Sequence, residues 1–502
     1  MSYIVIFDDT LPKSELIEDV IGRKGFGDVV VKKQTLGTRF TENMSEILGE
    51  KISPRFLRSI YEIDGLIAGL EASGDKESRV IHFFSNYVFS DVTAAELTIK
   101  KVDYVDEPLV VKDVAVLFES VDSYVEYLRR VSATENKNTL AATSDITMAT
   151  DIDGMMDIGN IESFLQRVAG NFEARYFNSL TGDEFTLVKS STKKEKIKSE
   201  YTFYHLLPED MQMWFVEPFN YQEDDEKASY TMERLHMTDL AIKWVHGSID
   251  EDEFERILDK YFYFFNNRHA KDVSENEYKD IEKSLYEVKV VKRVDELKKL
   301  PEYIEIAKLL SMNNGLTIDD IVKKYLELKE KLGCVIYGDS QAVAPDADSA
   351  ACTSTGAKYV SVIGHGDPCF ANTMYNKSTR TLKFIDPKGA LTEDELYTNP
   401  YYDIAKLSHS VCGRYDFFNN GLFEINVDTK LGTELVLDFD NSVFVDIFKR
   451  KLEENGYNYW LVRLYEASLF ISMLPLHIDY PQKVLGFILN ANNILKEIEE
   501  NV

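Results

Sequence analysis

The feature that most constrains this chain is a polar loop that links two apolar, strand-like runs. The loop reads His365-Gly-Asp367-Pro-Cys-Phe-Ala-Asn372, and the second run, Thr381–Ile385, leads directly into Asp386. Phosphoryl transfer from a nucleotide needs a carboxylate that orients the attacking hydroxyl, and it needs oxygen ligands for Mg²⁺. The spacing therefore predicts Asp367 as a catalytic base and Asn372 with Asp386 as metal ligands. The alternative is a coincidental pattern in a surface loop.

A second candidate group lies upstream, where Lys189 ends an apolar run and Glu200 lies in the helix predicted after it. A kinase-type site uses a strand lysine to hold nucleotide phosphates and a helix glutamate to hold that lysine. Lysines at strand ends are common, so Lys189 and Glu200 alone are weak evidence. The order of the predicted elements that follow them, which is the order of a kinase, strengthens the assignment. The segment from Met232 to Leu235 would then be the hinge where the backbone meets the adenine, which makes these two residues nucleotide-binding candidates.

The chain from Asp157 to Met473 resembles the aminoglycoside phosphotransferase and choline kinase superfamily, which has a protein-kinase-like fold. The resemblance implies ATP and Mg²⁺ as cofactors. It also implies a role for each matching residue: Asp367 as catalytic base, Asn372 and Asp386 as Mg²⁺ ligands, Lys189 as phosphate clamp, Glu200 as its partner, and His365 and Asp403 as structural support of the site.

A narrower likeness is to fused proteins of bacterial capsule and surface-polysaccharide clusters, in which a nucleotidyltransferase-like part precedes a kinase-like part. The stretches that carry it are Met156–Gly159, Arg175–Leu180, Val188–Thr192, Lys196–Glu200 and Leu207–Pro208. This likeness implies a biosynthetic role for the chain.

Some positions depart from the family pattern. Pro387 follows the metal-binding Asp386, and the candidate phosphate cover, Asn178–Gly182, contains one glycine rather than a glycine-rich repeat. Residues 1–131 lack a nucleotidyltransferase-type glycine loop. Asp8 and Asp9, after the first apolar run, are either the remnant of a metal site or part of a structural turn.

The order of patterns predicts an α+β protein with a bilobal kinase-like domain. Its small β-rich lobe covers 157–235 and its helical lobe covers 236–502, preceded by a small α/β domain, 1–131, and a linker, 132–156. Within the first domain, the patterns favour a helix over Ser53–Leu70 and a strand over Glu96–Lys100. Between the helices and the catalytic loop, Ser340–Gly356 reads as a surface loop.

Composition excludes several classes of protein. The net charge is −29, which argues against a nucleic-acid or anionic-membrane partner because such surfaces are bound by clustered lysines and arginines. No apolar run approaches the ~20 residues that span a bilayer, and the N-terminus lacks the basic region of a signal peptide. Four scattered cysteines fit a reducing compartment. These observations predict a cytoplasmic protein without membrane insertion; a homo-oligomer stays open.

Three hypotheses follow for function. The first is an ATP-dependent kinase that phosphorylates a hydroxyl of a sugar, polyol or amino-alcohol, in capsule or surface-polysaccharide biosynthesis. The second is a catalytically inactive kinase-like scaffold that binds a biosynthetic enzyme. The third adds a separate transferase activity in residues 1–131. A choline-like acceptor could use the aromatic stretch Tyr261–Phe265 through cation–π contacts, although aromatic residues at helical spacing are more often core.

Overall fold

The computed structural model describes residues 2–49, 52–74, 76–168, 178–183, 185–313, 315–338, 359–427 and 432–502. They form a mixed α/β protein with parallel and antiparallel strand pairing and many helices. The chain divides into two compact units: residues 1–172 with 246–248, and residues 173–245 with 249–502. The predicted loop Ser340–Gly356 and the stretch Arg175–Phe177 lie outside the described residues.

The first unit is built around a six-stranded sheet in the order β4-β1-β5-β8-β7-β9. Its strands are β1 Tyr3–Asp8, β2 Val30–Val31, β3 Gln34–Thr35, β4 Ile52–Leu57, β5 Arg79–Phe84, β6 Tyr87–Phe89, β7 Leu109–Val111, β8 Ala115–Phe118, β9 Met148–Thr150 and β10 Met155–Asp157. Its helices are α1 Glu15–Ile21, α2 Leu36–Leu48, α3 Ile63–Ala72, α4 Val92–Ile99, α5 Val121–Ser132 and α6 Ile161–Val168.

Strand β1 is apolar from Ile4 to Phe7 because helices cover both faces of the sheet. Val5 and Phe7 pack on one face, in a core shared with α2 and α4, while Ile4 and Ile6 pack on the other face with α3 and α5. Successive side chains of a strand point to opposite faces, so burial on both faces requires a continuous apolar run rather than alternation.

Two local predictions in this unit are wrong. The segment Ser53–Leu70 is not one helix: β4 occupies its first part and α3 begins only at Ile63. Strand β4 pairs with β1 and is the edge strand of the sheet as the described residues form it, and edge strands tolerate a proline such as Pro54. The predicted strand Glu96–Lys100 lies largely in α4, which starts where the Asp91 side chain accepts a hydrogen bond from the Ala94 N–H.

Strand β9 lies within the stretch 132–156 that the sequence predicts as a linker. It pairs in parallel with β7 at the far edge of the sheet. The next strand, β10, pairs with β6 of the same unit.

The second unit begins with a four-stranded antiparallel sheet in the order β11-β12-β14-β13. The strands of the unit are β11 Asn178–Gly182, β12 Thr186–Ser191, β13 Pro218–Glu223, β14 Ala228–Glu233, β15 Thr238–Asp239, β16 Ala270–Asp272, β17 Val360–Ile363, β18 Thr373–Asn376, β19 Thr381–Phe384, β20 Tyr397–Thr398, β21 Glu424–Val427 and β22 Thr433–Val436. Its helices are α7 Lys194–Leu206, α8 Glu209–Gln212, α9 Leu240–His246, α10 Glu251–Asn266, α11 Glu275–Lys283, α12 Lys289–Leu297, α13 Tyr303–Ser311, α14 Ile318–Gly338, α15 Tyr402–Val411, α16 Tyr415–Asn419, α17 Ser442–Glu454, α18 Tyr459–Met473 and α19 Pro481–Asn501.

Helix α7 packs against the four-stranded sheet through Ile197, which contacts Ala228 and Tyr230 of β14. Most of the remaining helices share two apolar cores, and α18 is buried along nearly its whole length. Strands β18 and β19 form a hairpin inserted among these helices. Of the described helices, none has both the length and the apolar composition required to cross a bilayer.

Candidate active site

The β18–β19 hairpin explains the spacing between Asn372 and Asp386. Thr373 pairs with Phe384, and the Ile385 N–H donates to the Asn372 carbonyl at 3.0 Å. Asn372 therefore ends the loop before the first strand, and Asp386 begins the loop after the second. An antiparallel hairpin brings these two ends together, so two residues fourteen positions apart in the sequence share one place in the fold.

Asp386 has an unusual backbone conformation. Its φ is 54°, in the left-handed region that few residues other than glycine adopt. Backbone strain of this kind is concentrated at functional sites, where the surrounding structure holds it in place. The neighbouring Lys388 N–H donates to the His365 carbonyl at 2.9 Å, which ties this loop to the loop that carries Asp367.

Asp403, on α15, also holds the loop that carries Asp367. Its buried carboxylate accepts the N–H groups of His365 at 2.9 Å and Gly366 at 2.8 Å, and it pairs with the buried guanidinium of Arg268 at 3.3 Å. Gly366 has φ 84°, which a residue with a Cβ adopts only at a cost. The Asp403 carboxylate thus fixes the backbone immediately before Asp367.

His365 connects the two loops through both of its ring nitrogens. Nε2 donates to the Ile385 carbonyl at 3.0 Å, and Nδ1 accepts the Asp367 N–H at 3.0 Å. Burial lowers the pKa of His365 and outweighs the nearby carboxylates of Asp403 and Asp367. A neutral ring with a proton on Nε2 satisfies both hydrogen bonds, so the imidazole positions the loop.

Lys189 lies between two carboxylates. Its Nζ is 2.7 Å from Glu200 Oε2 and 2.7 Å from Asp386 Oδ1, and its side chain is 7% exposed. Burial would lower the pKa of Lys189, but the charges of Asp386 and Glu200 outweigh burial and raise it. The Tyr230 hydroxyl also donates to Glu200 Oε2 at 3.1 Å. The structure therefore brings β12, α7 and the hairpin together at one ammonium group.

A narrow cavity opens beside this ion pair. Its lining includes Met232 together with Glu200, Tyr230, Phe384 and Asp386. Leu235, which the sequence pairs with Met232 as a hinge residue, lies beyond the end of β14 and is not among the described residues that line this cavity. Of the two predicted hinge residues, Met232 therefore lines the cavity and Leu235 does not.

Sequence reasoning missed Lys406, which pairs with the candidate base. Lys406 Nζ lies 3.0 Å from Asp367 Oδ1; the lysine side chain is 12% exposed and the Asp367 side chain 42%. Burial would lower the pKa of Lys406, but the charge of Asp367 outweighs it and raises the pKa. The available signal is that Lys406 follows Asp403 by three residues on α15, a helix that is otherwise buried.

The residues at the hairpin ends fit a magnesium ion bound together with a nucleotide. The Asn372 amide nitrogen donates to the Asp367 carbonyl at 2.9 Å, which leaves the amide oxygen as an acceptor, and the Asp386 side chain is 45% exposed. Within the described part of the chain, no group of three or more His, Cys, Asp or Glu residues could hold a metal ion. Magnesium commonly takes only one or two protein ligands and completes its shell with water and phosphate oxygens, so this donor set suits it.

Asp8 and Asp9 of the first unit are occupied by contacts within the fold. Asp8 is fully buried; it accepts from Thr139 and lies 3.0 Å from His82 Nε2. Asp9 accepts the N–H groups of Phe26 and Gly27, each at 2.8 Å. These contacts favour the structural reading of the acidic pair over a remnant metal site.

Asp8→Asn should destabilise the first unit by about 2–3 kcal/mol at pH 7, since it removes a charged acceptor from buried hydrogen bonds. Burial would raise the pKa of Asp8, but its hydrogen bond to His82, the charge of His82 and the hydrogen bond from Thr139 lower it. This stabilisation is therefore present above the unfolded pKa of about 3.9 and is lost as pH falls through the folded value. Hydrogen exchange of β1 and β5 amides at pH 7 and pH 3.5 measures both effects.

The exposed Asp106→Asn is the matched control for that measurement and should leave the exchange of β1 and β5 unchanged. Equal exchange in Asp8→Asn and Asp106→Asn at pH 7 would contradict the structural role of Asp8.

The aromatic stretch Tyr261–Phe265 belongs to the core of the second unit. Tyr261, Phe262, Phe264 and Phe265 are each at most 3% exposed, and Tyr263 alone of the stretch is largely exposed. The core reading of this stretch is therefore confirmed, and these rings do not form an open cage for a cationic acceptor.

Comparison with known proteins gives little beyond this geometry. No protein-family model and no curated protein matches the chain. Among solved structures, the chain is similar to a thermostable mutant of aminoglycoside phosphotransferase APH(4)-Ia in a ternary complex with AMP-PNP and hygromycin B, with 9% identity over 68% of this chain and 99% of that chain and a TM-score of 0.36. It is also similar to the apo form of a thermostable mutant of the same enzyme, with 10% identity over 67% of this chain and 99% of that chain and a TM-score of 0.33. A likeness this remote carries no argument about activity, which the contacts around Lys189 and Asp367 must support by themselves.

Proposed function

We propose that the second unit is an ATP-dependent phosphotransferase that places the γ-phosphoryl group of ATP on a hydroxyl group of a small molecule. The observation that carries the proposal is the position of the Lys189 ammonium, 2.7 Å from both Glu200 and Asp386. Such an arrangement pairs a phosphate-binding cation with a metal-binding carboxylate. Asp386 follows the second strand of the β18–β19 hairpin, and the loop that carries Asp367 precedes the first strand.

Each residue then has a distinct task. Lys189, held by Glu200, binds nucleotide phosphate oxygens. Asp386 and Asn372 would hold Mg²⁺, which would neutralise charge on those phosphates. Asp367 accepts the proton of the attacking hydroxyl as the oxygen–phosphorus bond forms, and ADP leaves with the electrons of the broken bond. His365 and Asp403 keep the Asp367 backbone in place.

We further propose that the acceptor is a sugar, polyol or amino-alcohol used in capsule or surface-polysaccharide biosynthesis, and that the protein acts in the cytoplasm. The choice of acceptor rests on the sequence stretches that resemble fused proteins of such clusters, and the cytoplasmic location rests on the composition of the chain. Its test is ATP consumption by the full chain with a panel of hydroxyl compounds, followed by identification of the phosphorylated product.

Nucleotide binding is the first measurement. Mg·ATP at about a hundred times its dissociation constant should stabilise the second unit by about 2.7 kcal/mol, and ATP without Mg²⁺ should stabilise it much less. Asp386→Asn should reduce the magnesium-dependent part, because one metal ligand is lost. Thermal unfolding of each variant with and without nucleotide separates this loss from any change in basal stability.

The control for that series is Asp394→Asn, because the Asp394 side chain is 93% exposed and its carboxylate pairs with the surface residue Lys271. It should retain the full Mg·ATP shift. An identical shift in Asp386→Asn and the parent protein would contradict the metal role of Asp386, and no nucleotide-dependent shift in the parent would favour the inactive scaffold.

A further inference from the structure

Helix α15 presents a second pair of polar groups beside the candidate base. Tyr402 and Lys406 are four residues apart and so lie on the same face of the helix, one turn from each other. Lys406 contacts the Asp367 carboxylate, as described above. Tyr402 accepts a hydrogen bond from Lys289 Nζ at 3.0 Å. A row of groups therefore runs from Asp367 through Lys406 and Tyr402 to Lys289.

Lys289 lies directly after an irregular stretch of helix. It is the first residue of α12 and follows a π-helical turn, Ser284–Val288. Within that turn, Tyr286 stacks on Tyr465 with ring centroids 3.7 Å apart, and its carbonyl accepts from the Tyr325 hydroxyl at 2.7 Å. Turns of this type inside helices occur frequently at functional sites. The contacts of Tyr286 fix the start of α12 and hence the base of the Lys289 side chain.

The row is electropositive although the chain carries a net charge of −29. It contains two ammonium groups and one carboxylate. Burial would raise the pKa of the Tyr402 hydroxyl, but the charges of Lys406 and Lys289 outweigh burial and lower it. Because Asp367 offsets the charge of Lys406, one net positive charge is left, at Lys289. A neutral acceptor needs no such charge, and a cationic amino-alcohol would be repelled by it.

Resting on the function proposed above, we infer that the acceptor carries an acidic group near its reacting hydroxyl, and that Lys289 and Tyr402 bind this group while Asp367 faces the hydroxyl. A phosphate monoester and a carboxylate both have the required chemistry. The Lys289 ammonium and the Tyr402 hydroxyl each donate a hydrogen bond to the anion, and Lys406 keeps Asp367 in position. The acceptor is then a phosphorylated sugar or polyol, or a hydroxy acid, rather than an amino-alcohol.

The test uses four small hydroxyl compounds of similar size: glycerol 3-phosphate, glycerate, glycerol and ethanolamine. Calorimetry measures the binding of each to the full chain saturated with Mg·AMP-PNP at fixed ionic strength. At least one anionic compound should bind about tenfold more tightly than glycerol, as expected for one charge-assisted hydrogen bond. Lys289→Met should remove this preference. The exposed Lys292→Met, on the same helix, should retain it.

Several results would overturn the inference: no binding of either anionic compound, equal or tighter binding of glycerol or ethanolamine, or a uniform loss of affinity for every bound compound in Lys289→Met. ATP consumption measured in parallel keeps the two proposals apart. Lys289-dependent binding of an anionic compound without ATP consumption by any of the four would count against phosphotransfer while the anion site stands. Turnover of glycerol or ethanolamine in preference to the anionic compounds would support phosphotransfer and reject the anion site.

Discussion

Asp367→Asn should lower the turnover of ATP-dependent phosphotransfer by about 10²–10⁴-fold, the contribution that a positioned general base makes to a proton transfer. Asparagine keeps the shape of the side chain and the hydrogen bond from the Asp367 N–H to His365 Nδ1, since that bond belongs to the backbone. Binding of Mg·ATP should therefore change little. Single-turnover measurement of phosphoryl transfer at saturating nucleotide gives the chemical step directly.

The substitution also removes the partner of Lys406, so stability must be measured beside activity. The three tryptophans, Trp214, Trp244 and Trp460, all belong to the second unit, and their fluorescence reports its unfolding without interference from the first. Asp394→Asn again serves as the exposed control. Unchanged turnover in Asp367→Asn would remove this carboxylate from the mechanism, and a lowered midpoint together with weaker nucleotide binding would indicate a structural role instead.

The order of residues along the chain predicts much of this site because the β18–β19 hairpin is formed by neighbouring segments. Two apolar runs joined by a turn predict that Asn372 and Asp386 meet, and the fold places them at the two ends of one strand pair. Lys189 and Glu200 belong to consecutive elements, so their 2.7 Å contact also follows from local order. What the site residues do chemically is still a prediction.

The partners that the sequence did not indicate reach the site through tertiary packing. Arg268 lies just after the end of α10, Lys289 begins α12 and Lys406 lies on α15. Lys406 has one weak signal, its spacing of three residues from Asp403, whereas Arg268 and Lys289 look like surface residues in the sequence. Their role depends on which parts of the chain pack inward, and charge patterns alone do not specify this. The π-helical turn before Lys289 likewise has no sequence signal.

The wrong helix prediction over Ser53–Leu70 in the first unit also comes from tertiary contacts that the sequence does not show. Ile52–Leu57 is a strand because it pairs with β1, a partner nearly fifty residues away, although its apolar residues match helical spacing together with those of α3. Short apolar segments do not distinguish helix from strand by periodicity alone. The long-range pairing decided the outcome.

Asp403→Asn should destabilise the second unit by about 3–5 kcal/mol, because it leaves the buried guanidinium of Arg268 without its counter-charge. The amide also replaces one of the two oxygens that accept the N–H groups of His365 and Gly366. The loop that carries Asp367 should then lose its fixed geometry, and turnover should fall with stability. Urea unfolding followed by tryptophan fluorescence measures the first effect.

Asp416→Asn is the matched control for Asp403→Asn, because both aspartates are at most 1% exposed and lie in the same unit. Burial raises the pKa of Asp416 to about 7. A group with a raised folded pKa binds its proton more tightly in the folded state, so the parent protein loses stability as pH rises from the unfolded pKa of about 3.9 to about 7. Asp416→Asn lacks this loss. Its stability relative to the parent should therefore improve between pH 4 and pH 7, whereas Asp403→Asn should stay below the parent at pH 7. Similar penalties for the two substitutions at pH 7 would show that burial alone, rather than the pairing with Arg268, determines the cost of replacing Asp403.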